Sequence, residues 1–318
     1  MKNKRAIQHR IEYIIFRSLI CFVEALPTRT GIRLAEMLGY LFAYILPKKW
    51  TRYKVARENL RRAFGESLSE EEIQEIFYKM WVHLFRLVIE IPQHTRKMRL
   101  YNCADILQFR YRDYSTQALC CGRPIILLSG HFGNWEIANT TFGLFGYPAG
   151  VVARDLDNPY LHQWFVKFRQ FTGHRLISKK GGGTDMTELM EQGGMVALLG
   201  DQDAGKRGLF VPFFGHDAST FKSIALLSIQ MDAPILVGYT LRLPDNFVER
   251  RWTGFEMGCA DVIDPRNYEN VDAIRGITED YTLALERSIR RAPEQYFWVH
   301  RRWKSEPRQK KKKTSEVA

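Results

Sequence analysis

Two apolar, helix-favouring runs open the chain, residues 11–26 and 32–46, and Pro27 and Pro47 end them. Each approaches the roughly 20 residues that cross a bilayer. Charges interrupt both, however: Glu12, Arg17 and Glu24 in the first, Arg33 and Glu36 in the second. A charge at a helix centre costs about 2.5 to 3.5 kcal/mol on insertion scales. The pattern therefore predicts a helical hairpin lying in or on a membrane interface rather than crossing it. The next stretch crowds Lys48, Lys49, Arg52, Lys54, Arg57, Arg61 and Arg62 around Trp50 and Tyr53, a mixture that an anionic leaflet attracts; a solvated basic helix face is the alternative. Ser67-Leu68-Ser69 followed by Glu70, Glu71 and Glu72 reads as a capped helix start with first-turn acids. Ile73, Ile76, Phe77, Met80, Trp81, Leu84 and Leu87 then recur at the spacing of a packed helix face.

From Pro124 onward the pattern changes. Short apolar runs at 125–128, 150–153, 176–178, 195–199 and 235–239 read as strands, and 135–145, 158–171, 185–192 and 223–231 read as the helices between them. Such alternation predicts an α/β fold with a mixed, partly parallel sheet surrounded by helices, preceded by the N-terminal hydrophobic helical arm, here a membrane-association arm. Sites in such sheets form at the carboxyl ends of strands, where His131 and Asp201 fall. The expected organisation is an arm over 1–65, a main domain over 66–304 and a polybasic, disordered tail over 305–318.

The first of those strands runs into Ser129-Gly130-His131-Phe132-Gly133-Asn134-Trp135-Glu136. Five residues of ideal helix rotate about 500°, which leaves His131 and Glu136 roughly 140° apart. A turn at Gly130 and Gly133 would let the carboxylate reach back, fix the imidazole tautomer and leave the second ring nitrogen to take a proton. Backbone amides of this turn could steady an oxyanion. A lone His-x4-Glu is common by chance; a strand before it and glycines around it make it a site candidate. Ser129 lacks the G-x-S-x-G setting of a nucleophile, so direct transfer without an acyl-enzyme is expected.

The run 200–206 has the spacing of a phosphate-binding loop as far as Lys206, but Arg207 stands where magnesium binding needs Ser or Thr. Asp201 and Asp203 inside it would repel a triphosphate, and metal ligation, acceptor orientation and turn capping remain readings for them. Arg154, Arg169, Lys179 and Lys180 are cations suited to a phosphorylated substrate or an anionic carrier, although each taken singly also reads as a surface charge. The segment 292–304, APEQYFWVHRRWK, mixes aromatic and basic residues as an interface or a phosphate site would.

A formal net charge of +12 over 318 residues adds the demand for a polyanionic partner: nucleic acid, anionic membrane or phosphorylated substrate. Five cysteines without C-x-x-C spacing indicate a reducing compartment and no zinc site. The charges at 12, 17 and 24 argue against a removable signal peptide.

Taken together, His131-x4-Glu136, Asn158-Pro159, Arg169 with Gly173, Asp201-Gln202-Asp203, the run 208–215 followed by Ala218-x-Thr220, and the segment 292–304 resemble the lipid A late acyltransferases of the bacterial lysophospholipid acyltransferase superfamily. The resemblance implies a thioester donor, acyl carrier protein or acyl-CoA, and a glycolipid acceptor at the cytoplasmic face of the inner membrane. It makes His131 the catalytic base and Glu136 its partner acid. Expected substrate contacts are Gly130, Gly133, Asn134, Arg154, Arg169, Asp201 and Asp203. No metal, cofactor or nucleic acid is expected. Phosphatidylinositol mannoside acyltransferases share much of the pattern, so another glycolipid or a lysophospholipid is an alternative acceptor. A metal-dependent hydrolase using His131, Glu136, Asp201 and Asp203 and a non-enzymatic membrane or nucleic-acid binding module are the rival classes.

Overall fold

The alternating apolar runs assemble into one seven-stranded sheet, seen in a computed structural model that describes residues 2–179, 181–268 and 272–307. Lys180 and the lysine run 310–313 lie outside the described residues. Helices α1 (Lys2–Ala25) and α2 (Thr28–Tyr40) flank Pro27 as the apolar runs predict, and a π-turn, Leu41–Ile45, extends the second. Among the described residues no helix is long and apolar enough to cross a membrane. Helix α3 (Tyr53–Phe64) takes up the basic stretch, where Glu70 pairs with both Arg57 and Arg61 at 2.7 Å.

Helix α4 (Glu70–Lys97) is the longest in the molecule's described part and begins at a capping box. Ser69 Oγ accepts from the Glu72 N–H at 3.2 Å, and the Glu72 carboxylate accepts from the Ser69 N–H at 2.7 Å. Its apolar stripe buries Ile73, Phe77, Met80 and Leu87. Helix α2 lies along it, with Ala35 packed among Val23, Ile89, Leu34 and Phe85.

The sheet follows. In chain order its parts are α5 (Cys103–Ile106), β1 (Leu107–Arg110), α6 (Arg112–Leu119), β2 (Ile125–Ser129), α7 (Trp135–Leu144), β3 (Ala149–Ala153), α8 (Pro159–Gln170), β4 (Arg175–Ser178), α9 (Gly183–Glu191) and β5 (Met195–Leu199). A two-stranded hairpin, β6 (Leu209–Phe213) and β7 (His216–Thr220), comes next. Helix α10 (Lys222–Gln230), β8 (Ile235–Arg242), β9 (Phe255–Ile263) and α11 (Ala273–Arg291) complete the elements. The strand order is β1-β9-β8-β2-β5-β3-β4, and every neighbouring pair is parallel except β8 with β9.

Because side chains alternate across a strand, β2 divides its apolar run between two cores. Ile126 and Leu128 pack with Ile224, Ala225, Tyr281 and Leu285 of α10 and α11. Ile125 and Leu127 face α6 with Ala149, Met195 and Leu236. Helices thus cover both faces, which is why the central strands read as unbroken apolar runs.

A third core sits beyond the carboxyl ends of the strands and joins α3, α4, the hairpin and the closing segment. In it Phe77, only 1 % exposed, meets the Tyr53 ring edge-on at 5.0 Å. Phe77→Ala should cost about 3 to 5 kcal/mol, read as a lower urea midpoint of the purified protein.

Candidate active site

Parallel pairing places Ser129 of β2 opposite Leu199 of β5. Each strand continues two residues further, to His131 and to Asp201, and the two side chains meet above the sheet. The imidazole Nδ1 lies 2.9 Å from one Asp201 carboxylate oxygen, and the His131 backbone N–H donates to the other at 2.9 Å. A carboxylate that accepts both contacts fixes the tautomer: Nδ1 carries the proton and Nε2 is left with its lone pair. The Gln202 side-chain amide stands 3.4 Å from Nε2. Trp135 meets the ring edge-on at 5.2 Å.

Glycines lie on both sides of this contact, and at Gly133 no other residue fits. A Cβ on Gly130 would come within 3.2 Å of the Asp201 side chain, and one on Gly133, whose φ is +58°, would sit 1.9 Å from the Thr240 carbonyl oxygen. Glycines therefore shape the turn, as the sequence suggests, but they bring the histidine to Asp201 and not to Glu136.

The expected His131–Glu136 bond is not formed. Asn134 caps α7, its Oδ1 accepting from the Ile137 N–H at 3.1 Å. Glu136 in the first turn of that helix points toward α8, where it pairs with Arg169 at 2.9 Å. The carboxylate that follows the neighbouring strand takes the ring instead.

The electrostatics of the pair follow from its burial. Desolvation alone would depress the His131 pKa, but the charge of Asp201 and its hydrogen bond outweigh this, and the pKa is raised above the usual value. Burial pushes the Asp201 carboxyl up, while the imidazole and the backbone N–H pull it further down, so it remains ionised. Burial, with the charge of Asp201 added to it, holds the Tyr296 hydroxyl well above its ordinary range.

Next to the histidine lies a cavity of about 600 Å³. It runs under α6 and α7 across β3, β5, β2, β8 and β9, and Leu127, Phe142, Val151, Ala197, Leu236 and Cys259 are among its walls. His131, Glu136 and Arg169 all line it. Ser129 does not approach the histidine as a nucleophile would, since its hydroxyl donates to the Gly238 carbonyl at 2.9 Å.

Other expected contacts fall elsewhere. Asn134 is fully buried, and its amide donates to Glu90 at 3.1 Å. The amides of His131, Gly133 and Asn134 are taken by Asp201, by the Gln295 carbonyl and by the Thr240 carbonyl, so they are not free for an oxyanion. Asp203 accepts from the Gly205 N–H and from the Ser305 N–H and hydroxyl, which ties its loop to the closing segment. Arg154 and Lys179 are exposed, and neither lines the cavity. Asn158, with Pro159, starts α8: its Oδ1 accepts from the Tyr160 N–H, and its amide donates to Glu12 of α1. Among the described residues no three His, Cys, Asp or Glu side chains gather as a metal site.

The aromatic-basic segment proves to be an internal strap and not an interface. Tyr296, Trp298, Val299 and Arg302 are buried. The Phe297 N–H donates to the His131 carbonyl at 3.1 Å, Asn59 of α3 donates to the Trp298 and His300 carbonyls, and Arg302 holds Ser219 and Thr220 of β7. Gln202 and the strap's contacts with the turn were not legible as site features, because they depend on which segments meet.

A carboxylate-held imidazole at the rim of an apolar cavity, carried on the strand ends of a mostly parallel sheet, is the arrangement of an α/β enzyme that works on an apolar substrate. The sequence model of bacterial lipid A biosynthesis acyltransferases matches residues 1–305, and the chain belongs to that family: it is an acyltransferase. The lipid A biosynthesis lauroyltransferase of Escherichia coli K12 is 24% identical over 294 residues, 91% of this chain and 90% of that protein. The palmitoleoyltransferase of lipid A biosynthesis from the same strain is 23% identical, with 80% of each chain covered. A phosphatidylinositol mannoside acyltransferase of Mycolicibacterium smegmatis is 25% identical over 65% of this chain and 68% of its own.

The site's electrostatics are directly measurable. By NMR the His131 ring should titrate above the ordinary histidine value, and in Asp201→Asn, where burial is no longer outweighed, below it.

Proposed function

We propose that this acyltransferase moves a fatty acyl chain from a thioester, acyl carrier protein or acyl-CoA, to a hydroxyl of a membrane glycolipid of the lipid A type. The observation that carries the reading is the His131 imidazole in the wall of the apolar cavity, held through Nδ1 by Asp201 while Nε2 faces the Gln202 side-chain amide at 3.4 Å. In this reading the acyl chain occupies the cavity and its thioester carbonyl lies at Nε2. Nε2 removes the proton from the acceptor hydroxyl as its oxygen attacks the carbonyl carbon. Asp201 stabilises the imidazolium that forms, and the Gln202 amide donates to the oxyanion. Collapse expels the thiolate, which takes the proton back from Nε2, so no acyl-enzyme is needed. Glu136 has the role of holding Arg169 at the cavity, where the guanidinium meets the acceptor.

The family and the names of the relatives support an acceptor of the lipid A kind. A mannosylated phosphoinositide is the second reading, favoured by the mycobacterial relatives.

Helix α1 supplies the membrane contact in this proposal. Ile7, Ile11, Ile14, Ile15, Leu19 and Phe22 are more than half exposed and recur at helical spacing, so they form one apolar stripe. The opposite side is engaged, with Phe16 against Trp164 of α8 at 4.9 Å. Such a helix lies in the interface with its stripe among the acyl chains.

His131→Ala should lower transfer by about 10² to 10⁴ while leaving the unfolding temperature and vesicle binding in place. Mass spectrometry of glycolipids from cells carrying the variant should show one acyl chain missing; an unchanged lipid profile sinks the base assignment. Ile11→Asp with Ile15→Asp should abolish cosedimentation with vesicles containing anionic phospholipid, without changing the urea midpoint.

A further inference from the structure

The turn that carries His131 rests on a buried charged cluster that has no contact with the cavity. Arg242, at the end of β8, makes two hydrogen bonds to Glu90 of α4, at 2.6 and 2.9 Å. Asn134 donates to that same carboxylate at 3.1 Å while it caps α7. His83, two turns earlier on the same face of α4, reaches the Gly133 carbonyl with Nε2 at 3.2 Å, and its Nδ1 faces the Arg242 guanidinium. A carbonyl only accepts and a guanidinium only donates, so the proton of His83 sits on Nε2 and the ring is neutral. Gln295 closes the cluster. Its side chain accepts from the Arg242 N–H at 2.8 Å and donates to the Arg242 carbonyl at 2.9 Å, and its own carbonyl accepts from the Gly133 N–H at 3.0 Å.

Gly133 and Asn134 are therefore gripped through both backbone groups of the first and through the amide and side chain of the second. None of Glu90, Arg242 and His83 lines the cavity. An ion pair so deeply buried is poor at adding stability, since apolar residues of equal volume serve as well or better. What this one does is fix a left-handed glycine against the Thr240 carbonyl, two residues along the chain from His131.

We propose that Glu90 and Arg242 are positioning residues for acyl transfer, which act through Asn134, His83 and Gln295 to hold the His131 turn so that the imidazole stays on Asp201. The inference rests on the reading of His131 as the base. It assigns a function to a cluster that touches neither donor nor acceptor.

A positioning role leaves a mark on the pH profile that a loss of folded protein does not. The titratable groups facing the imidazole are Asp201, after β5, and His300, in the strap. Asp201 raises the His131 pKa against burial. If the turn loosens, that pull weakens, the imidazole pKa falls, and the acid limb of kcat/KM moves to lower pH. On the plateau kcat drops, by about 100-fold for a displacement near 1 Å, while the donor KM changes much less.

The experiment measures kcat, KM and the pH profile of Glu90→Gln with an acyl thioester donor and extracted glycolipid acceptor, beside His131→Ala and the unaltered enzyme. A lowered plateau kcat, an acid limb moved to lower pH and a near-normal KM are expected. Should Glu90→Gln fail to fold, the double variant Glu90→Gln with Arg242→Gln, which removes both charges together, takes its place with the same expectation. An unaltered kcat and limb in the folded variant overturn the proposal, and so does a loss of rate that follows the folded fraction with the limb unmoved. Activity retained by His131→Ala would overturn the base assignment itself; an inactive His131→Ala beside a normal Glu90→Gln would overturn only the positioning role.

Discussion

The bond between His131 and Asp201 depends on strand register. Ser129 lies opposite Leu199 because β2 and β5 are parallel neighbours with in-step apolar runs, and the two side chains meet because each follows its strand by the same two residues. A one-residue slip would turn every side chain of a strand to the other face, and the imidazole would lose its carboxylate. The cores on the two faces of β2 therefore fix the chemistry above them. Ile126 and Leu128 pack only if they face α10 and α11, and in that register the turn leaves the sheet with His131 directed at Asp201.

The rest of the chain holds that turn from outside the sheet. The strap accepts and donates at Gly133 and His131, α3 ties the strap through Asn59, and the hairpin ties it through Arg302. Helix α4 adds Glu90 and His83 from the opposite side. Helix α1 is linked to the same assembly through α8, whose Asn158 bonds to Glu12 and whose Arg169 bonds to Glu136. Residues distant in sequence thus share one structure around the His131 side chain.

Much of this was readable where the chemistry is local. The strands at 125–128 and 195–199 stand out because both of their faces are buried, and the start of α4 is legible in Ser69 and Glu72 because a capping box needs only four residues. Strand β9, FEMGCADVI, mixes polar and apolar residues and gives no comparable run, while β1 has four residues and one of them buried. The histidine's partner was misread for a related reason. Glu136 is near in sequence, whereas Asp201 becomes a neighbour only once β5 is known to lie beside β2. Composition misled at 292–304 as well: aromatic and basic residues suit an interface, but here Trp298 and Arg302 fill the interior, with Arg302 satisfied by Ser219 and Thr220.

The strap is made by the ribosome after every segment that it fastens. Until Gln295 and Phe297 have emerged, the Gly133 N–H and the His131 carbonyl lack the partners they have in the finished molecule. Helix α1, with its exposed apolar side chains, emerges long before. A growing chain thus carries its histidine turn unfastened until its closing segment is made, and the contact that completes the turn is also the last to become available.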